Sequence, residues 1–276
     1  MISRARRLWA AAAVLAAAGA VAVELARLPD VALLARHNPS STAFIDRYRA
    51  QLRSLGQPDQ LAWQPVPLTE ISPTLALAVL VSEDIGFFSH RGFELAEMQD
   101  AVHEAVTRGV APRGASTITQ QLAKNLWLSP SRNPLRKLRE ALLTRRLERR
   151  LTKERILELY LNVAEFGPGI WGAEAAARHY FNKPAADLAG RESALLASAL
   201  SRPSAWNPVR ATAAYLAHAG KVESRMARAS FLRKRLGLVA VDPGPRGPDS
   251  LVGRDSPSMA DPLLPQDTSV PPQAEP

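Results

Sequence analysis

Apolar residues fall into blocks at helical spacing, separated by short polar or proline-bearing breaks, and this pattern predicts a succession of helices. The most apolar block comes first. Residues 8–23 are uncharged and dominated by Ala, Val and Leu, and past Glu24 the run continues through Leu25 and Ala26. About 20 apolar residues cross a bilayer as a helix, so residues 8–26 read as a single transmembrane anchor. Arg4, Arg6 and Arg7 precede it, which places residues 1–7 in the cytoplasm and the body outside. The small-residue run Ala18-Gly19-Ala20-Val21-Ala22 also suits a cleaved secretory signal. The length of the apolar run favours a retained anchor, and either reading exports the body.

Residues 27–68 read as a linker and the start of the body, interrupted by Pro39, Pro58, Pro65 and Pro67. Ser72 and Pro73 then form an N-cap and first helical position, opening a helix through Leu75, Ala78, Val79 and Ser82 to Glu83-Asp84. A loop over 85–93 leads to a helix over 94–108. At Gly114-Ala-Ser-Thr-Ile-Thr-Gln-Gln-Leu-Ala-Lys-Asn125, Thr117 and Gln120 fit a capping box. Ile118, Leu122 and either Asn125 or Leu126 mark one face, with Leu126, Trp127 and Leu128 closing the run. Asn133 and Pro134 start an Arg-rich helix to about Leu151. Thr152 caps the next, with Ile156, Leu157, Tyr160, Leu161 and Ala164 as its stripe. Gly167-Pro168-Gly169 breaks the chain, and helices follow over 173–181, 192–200 and 216–236. Residues 69–237 thus read as one mainly α domain. Residues 238–276, rich in Pro, Gly, Asp and Ser, read as a disordered tail.

Composition narrows the chemistry. Hydrophobic residues make up 46% of the 276, ample for a core, and helix formers outnumber β-branched and aromatic residues. The chain has no cysteine, which excludes disulfides, thiol nucleophiles and Cys-based zinc sites. The formal charge is +9, and because residues from Asp242 onward are net acidic, the body is more basic than the sum. Such basicity suits nucleic acid, anionic lipid or a phosphorylated substrate. Export of the body argues against nucleic acid.

Two carboxylates stand out. Glu83 ends an apolar helix beside Phe87 and Phe88, where desolvation raises a carboxyl pKa and suits it to general acid–base work; a solvated helix-terminal acid is the plainer reading. His90 reads as structural. Glu140 follows Arg136 and Lys137 by four and three residues, a routine helical ion pair or an acid inside a cationic cluster with Arg132 and Lys124. Such clusters hold diphosphate. Ser116, Gln120 and Lys124 sit four apart with Gln121 beside them, so uncharged donors align with one cation. That surface suits a sugar phosphate, against the alternative of an exposed Thr/Gln-rich helix.

Taken in order, Glu83-Asp-x-x-Phe87-x-x-His90-x-Gly92, the Gly114–Asn125 stretch, Arg136-Lys137-x-x-Glu140, Lys153-x-x-Ile156-Leu157-Glu158-x-Tyr160-Leu161-Asn162 and Gly172-x-Glu174-Ala-Ala-x-x-x-Tyr180-Phe181-x-Lys183 resemble the peptidoglycan glycosyltransferases (glycosyltransferase family 51) over roughly residues 70–208. The chain lacks Ser-x-x-Lys and Lys-Thr-Gly, so it resembles the members without a transpeptidase domain.

The resemblance implies a mainly α, lysozyme-like, two-lobed glycosyltransferase domain behind one N-terminal transmembrane helix. The protein is then expected in the inner membrane, single-pass, with the catalytic domain periplasmic. Glu83 matches the catalytic base, which takes the proton from the 4-hydroxyl of the lipid II GlcNAc. That oxygen attacks C1 of the MurNAc at the end of the growing chain, with inversion, and undecaprenyl diphosphate leaves. Lys124 and Arg132, with help from Arg136 or Arg139, match diphosphate-holding positions. Ser116, Gln120, Gln121 and Asn125 match substrate contacts. Glu140 matches the second essential acid, organising cations or a divalent ion (magnesium or manganese) near the diphosphate; no cofactor is obligatory and no protein-held metal is expected. Glu158 and Asn162 are expected to support the cleft from behind. Lipid II, the growing glycan chain, membrane lipid and other cell-wall synthesis proteins are the implied partners.

The chain departs from the family's pattern at Glu94, at Ser201-Arg202-Pro203 and at Arg139, which makes Arg139 the weakest of the binding residues. Diphosphate leaves without protonation, so a base and a basic cradle suffice for transfer, whereas a hydrolase needs an acid for its sugar leaving group. Two other readings stand beside transfer: a lysozyme-like lytic enzyme, and a non-catalytic membrane-tethered scaffold using Arg145, Arg146, Arg149 and Arg150. Phe87, Phe88 and the 95–106 helix are candidates for dipping into the bilayer, with core burial of both Phe residues the alternative.

Overall fold

A computed structural model describes residues 28–94, 116–130 and 134–238, with isolated positions in the N-terminal stretch and at 107. The chain divides into two units, residues 1–240 and 241–276, and the second unit lies outside the described residues. So do most of the expected anchor, most of the helix expected over 94–108 and the tail beyond Leu238. Among the described residues no helix is long and apolar enough to cross a membrane.

The described body is mainly helical with a small sheet. Its helices are α1 (Ala43–Ser54), α2 (Pro73–Glu83), α3 (Ile118–Trp127), α4 (Pro134–Arg150), α5 (Lys153–Val163), α6 (Ala173–Phe181), α7 (Gly190–Leu200), α8 (Ala213–Arg228) and α9 (Ser230–Arg235). Three of the predicted caps are present, and the fourth, at Asn133, lies outside the described residues. Ser72 Oγ accepts the Thr74 N–H and donates to the Leu188 carbonyl, fixing the start of α2. Thr117 and Gln120 close the capping box of α3, and Thr152 Oγ1 accepts the Arg155 N–H at the start of α5.

Two helices are buried well beyond a single apolar face, although Glu154 in the first turn of α5 is exposed. Every residue of α2 from Leu75 to Val81 is buried, which explains its unbroken apolar run, and it packs against α7 and α8. In α5, Leu159, Asn162 and Val163 are buried as well as the predicted stripe. α3 packs on α4 and α5, and one hydrophobic core joins all of these elements.

Three expectations about the elements change. Residues 28–68 belong to the folded body: Leu28, Val31, Leu34, Ile45 and Val66 are buried, and α1 lies in this segment. Helical spacing also gave no hint of strands, yet β1 (Ala62–Trp63), β2 (Glu165–Gly167) and β3 (Ile170–Trp171) form a sheet ordered β1-β3-β2. β1 runs parallel to β3, with Ala62 opposite Ile170, and β2 is antiparallel to it. Gly167-Pro168-Gly169 is the turn of this hairpin, and strands of two or three residues are too short to show alternation. Finally, the helix expected over 216–236 is broken. Ala229 leaves helical geometry (φ −83°, ψ 58°) between α8 and α9, and the turn lets Ala229 and Leu232 join the core.

Candidate active site

Glu83 is the last residue of α2, so the most buried helix of the body delivers a carboxylate to its edge. Its Oε2 accepts a hydrogen bond from Gln121 Nε2 at 2.9 Å, and Ser82 Oγ lies 3.4 Å from Oε1. Burial raises its pKa above the ordinary carboxylate value, while the Gln121 and Ser82 hydrogen bonds and the Lys124 charge pull it back. The Gln121 amide is engaged on its other side: Tyr160 Oη lies 2.9 Å from Oε1.

Asp84 does a different job. Oδ2 accepts the backbone N–H of Ile118 at 2.9 Å, placing a carboxylate at the N-terminus of α3. Oδ1 lies 2.9 Å from His90 Nε2. The Gly92 N–H donates to His90 Nδ1, so the ring proton sits on Nε2 and is donated to Asp84. Thr117 Oγ1 donates to the Gly92 carbonyl at 2.8 Å. His90 is therefore structural, as expected, and the 84–92 loop is stitched to the start of α3.

The cationic side of the site comes from α3 and α4. Lys124 is half-buried, with its ammonium 5.9 Å from the centre of the Phe44 ring. Burial lowers its pKa, Glu140 raises it, Arg136 and Lys137 lower it again, and Glu83 raises it. One ammonium thus lies in the fields of both carboxylates. Glu140 is only 3% exposed, because it belongs to the inward stripe of α4 with Leu143, Thr144 and Leu147. Arg136 Nη1 donates to its Oε2 at 2.7 Å, and Lys137 Nζ bonds its Oε1. With each oxygen already held by a cation, Glu140 does not fit the part of a metal ligand. Among the described residues no group of three His, Asp or Glu side chains is arranged to hold a metal ion.

A cavity of about 450 Å³ opens beside Glu83. Val81, Ser82, Glu83, Asp84 and Ile85 form one wall, and Arg225, Arg228, Ala229 and Phe231 the other. Arg225 Nη1 also reaches the Val81 carbonyl at 3.4 Å. Sequence reasoning missed these two arginines. Their i, i+3 spacing puts them on one face of α8, but nothing local indicates that this face meets residue 83.

The polar stripe read from the sequence shifts in phase. Gln120 is buried (4% exposed) and its Oε1 accepts the Thr117 N–H, so it serves the helix start rather than the open face. The half-buried polar positions of α3 are Gln121, Lys124 and Asn125, with Leu126 taking the apolar place. Ser116 is exposed at the entrance to the helix. Gln121, expected to touch substrate, has its amide directed at Glu83, Tyr160 and the Ser116 carbonyl. Arg136 is paired to Glu140, Arg139 is partly buried on α4, and Arg132 lies outside the described residues. Glu158 and Asn162, expected to support the cleft from behind, tie α5 to the 66–68 segment: Glu158 Oε2 accepts the Leu68 N–H, and the Asn162 side chain bonds both the N–H and the C=O of Val66. Phe87 is fully buried under the Lys153 ammonium and is a core residue, not a bilayer contact. Phe88 is partly buried against that core, with the Arg235 guanidinium over its ring.

A family model described as Transglycosylase matches residues 50–227. Proteins named biosynthetic peptidoglycan transglycosylase are similar to this chain. One from Ralstonia nicotianae is 46% identical over 199 residues, covering 70% of this chain and 83% of the relative. One from Azoarcus sp. is 45% identical over 200 residues, covering 72% and 85%. One from Laribacter hongkongensis is 44% identical over 167 residues, covering 60% and 73%. With a carboxylate of raised pKa at the edge of a buried helix, a half-buried lysine coupled to it and a paired second acid behind, the chain belongs to the transglycosylase family.

Proposed function

We propose that this chain is a peptidoglycan glycosyltransferase that polymerises lipid II into glycan strands. The observation that carries the reading is Lys124, one partly desolvated ammonium coupled to both Glu83 and Glu140. Glu83 accepts the proton of the GlcNAc 4-hydroxyl of lipid II. The oxygen attacks C1 of the terminal MurNAc of the growing chain, the C1–O bond to phosphate breaks with inversion, and its electron pair leaves on undecaprenyl diphosphate. Charge gathering on that diphosphate is met by Lys124, with Arg136 and Lys137 held in place by Glu140. Such fixed cations stabilise the leaving group without reorganising during the step. Arg132 belongs to the same cradle in this reading, and Ser116 and Asn125 contact the sugars. The cavity between Glu83 and the Arg225/Arg228 pair receives the hydroxyl-bearing lipid II, itself a diphosphate.

The mainly helical body agrees with a lysozyme-like, two-lobed domain around this cleft. A peptidoglycan-building enzyme works at the cell envelope; residues 8–26 form a single anchor in the inner membrane, with the domain on the periplasmic side. The deciding experiment incubates full-length protein with labelled lipid II. Wild type is expected to form glycan polymer, and Glu83→Gln, melting at or above the wild-type temperature, is expected to lose at least a hundredfold in rate. Full polymerisation by that variant removes Glu83 from the role, and release of soluble muropeptides from sacculi by the wild type replaces transfer with lysis.

A further inference from the structure

Tyr160 is the one phenol of α5, 1% exposed and surrounded by the aliphatic core, yet its hydroxyl is not idle. It meets Gln121 Oε1 at 2.9 Å, and the same amide meets Glu83 Oε2 through Nε2 at 2.9 Å. A carboxamide is symmetric in shape but not in charge. Turned one way it offers N–H to Glu83; turned the other it offers a carbonyl oxygen, which an ionised carboxylate repels.

Two features favour the first orientation. In the second, the Tyr160 hydroxyl faces an NH2 group, and its own proton loses the acceptor it has in a site closed to water, which is costly. The second Nε2 hydrogen also points towards the Ser116 carbonyl at 3.5 Å, where a flipped amide would set oxygen against oxygen. We propose that Tyr160 is a positioning residue for the base: by donating to Gln121 Oε1 it holds Nε2–H towards Glu83 and so favours the carboxylate form that accepts the substrate's proton. The inference rests on Glu83 being that base. Gln121 is the intermediary, which accounts for an amide aligned with the substrate face yet bonded wholly within the protein.

The other groups facing Glu83 are Asp84 beside it, Ser82 on α2, Lys124 on α3, and Arg225 and Arg228 across the cavity on α8. All are unchanged by Tyr160→Phe, which keeps the ring and removes only the donor. That comparison therefore isolates the hydroxyl.

The experiment measures kcat and KM for lipid II against pH in the full-length wild type, Tyr160→Phe, Gln121→Ala and the double variant, with melting temperatures recorded alongside. Tyr160→Phe is expected to lower neutral-pH kcat by about three- to tenfold with KM within about twofold, because the carboxylate form loses its oriented donor. The acid limb of kcat moves to higher pH, and activity returns towards wild type on the alkaline side. Gln121→Ala moves the same limb the same way, and adding Tyr160→Phe to it changes nothing further. An unmoved acid limb in either single variant, or an undiminished Tyr160→Phe effect in the Gln121→Ala background, overturns the proposal. Gln121 is half-buried, so its variant decides the matter even where Tyr160→Phe folds poorly. If Glu83→Gln still polymerises, the base assignment fails instead; if it is inactive while the limb stays put, only the positioning role fails.

Discussion

Asp84 Oδ2 accepts the Ile118 backbone N–H at 2.9 Å, so the residue that follows Glu83 closes the first turn of the helix bearing Gln121 and Lys124. Glu83 and Lys124, the base and the diphosphate lysine of the proposed reaction, are thereby held in register through one carboxylate, whose other oxygen holds His90. Asp84→Ala removes a charged helix-start partner and the His90 acceptor together. It is expected to cost about 2–3 kcal/mol of stability in urea unfolding and at least tenfold in lipid II polymerisation. Asp84→Asn keeps the shape, and its stability loss is expected to be about half as large.

The pH dependence of turnover follows from two shifts in opposite directions. Burial raises Glu83 from the carboxylate range, and burial lowers Lys124 from the lysine range. In the proposed reaction Glu83 works ionised and Lys124 works charged, so kcat against pH is expected to be a bell narrower than ordinary Glu and Lys values would give. Lys124→Met should remove the alkaline limb and lower kcat by about 10²–10³. Stability carries the matching sign. With its folded pKa above its unfolded one, Glu83 holds more protons folded than unfolded between those values, so stability falls as pH rises through that window. Glu83→Gln should therefore gain on wild type in melting temperature across the same window and not below it.

Glu140 acts on the site through charge. Its two oxygens hold Arg136 and Lys137, and its field raises the Lys124 pKa against the pull of burial. Glu140→Gln leaves these cations facing one another. The expected cost is about 1–3 kcal/mol, less than for a fully buried pair because Lys137 is 54% exposed. The alkaline limb of kcat should move to lower pH as Lys124 loses its support. An unmoved limb would separate Glu140 from Lys124.

What the sequence made legible was local. The Thr117/Gln120 box, the Ser72-Pro73 start of α2 and Glu83 at its end depend on neighbours three or four positions apart, and all are present. The burial of Glu140 was not read from the sequence, although Leu143 and Leu147 follow it at helical spacing. The contacts between distant segments were not legible. Arg225 reaches Val81 across 144 positions, and nothing in α8 marks which helix it will meet. The phase of the α3 stripe was misread because Gln120 fits both a cap and a substrate face, and the cap bond takes it inward. Asp84 was passed over for its neighbour because one carboxylate was sought as a base, and a helix-start acceptor 34 residues away has no sequence signature.

Gly172 tests whether the support behind the cleft is as rigid as its hydrogen bonds suggest. It caps α6 at φ 82°, ψ 157°, a region open essentially to glycine alone. A Cβ there would lie 2.7 Å from the Asn162 carbonyl oxygen. That oxygen also accepts the Trp63 indole N–H at 2.8 Å, and the Asn162 side chain holds Val66, so a shift there loosens the whole 63–68 segment. Gly56 has a positive φ of 67° but nothing within 4 Å of its missing Cβ. Gly56→Ala should cost about 1 kcal/mol from the backbone alone. Gly172→Ala should cost about 3 kcal/mol or more, lowering the melting temperature by roughly 6–12 °C. The difference between the two combines the steeper backbone penalty at Gly172 with the contact with Asn162. Equal losses would mean that α5 yields at that carbonyl, and that the support behind Tyr160 and Gln121 is softer than its hydrogen bonds imply.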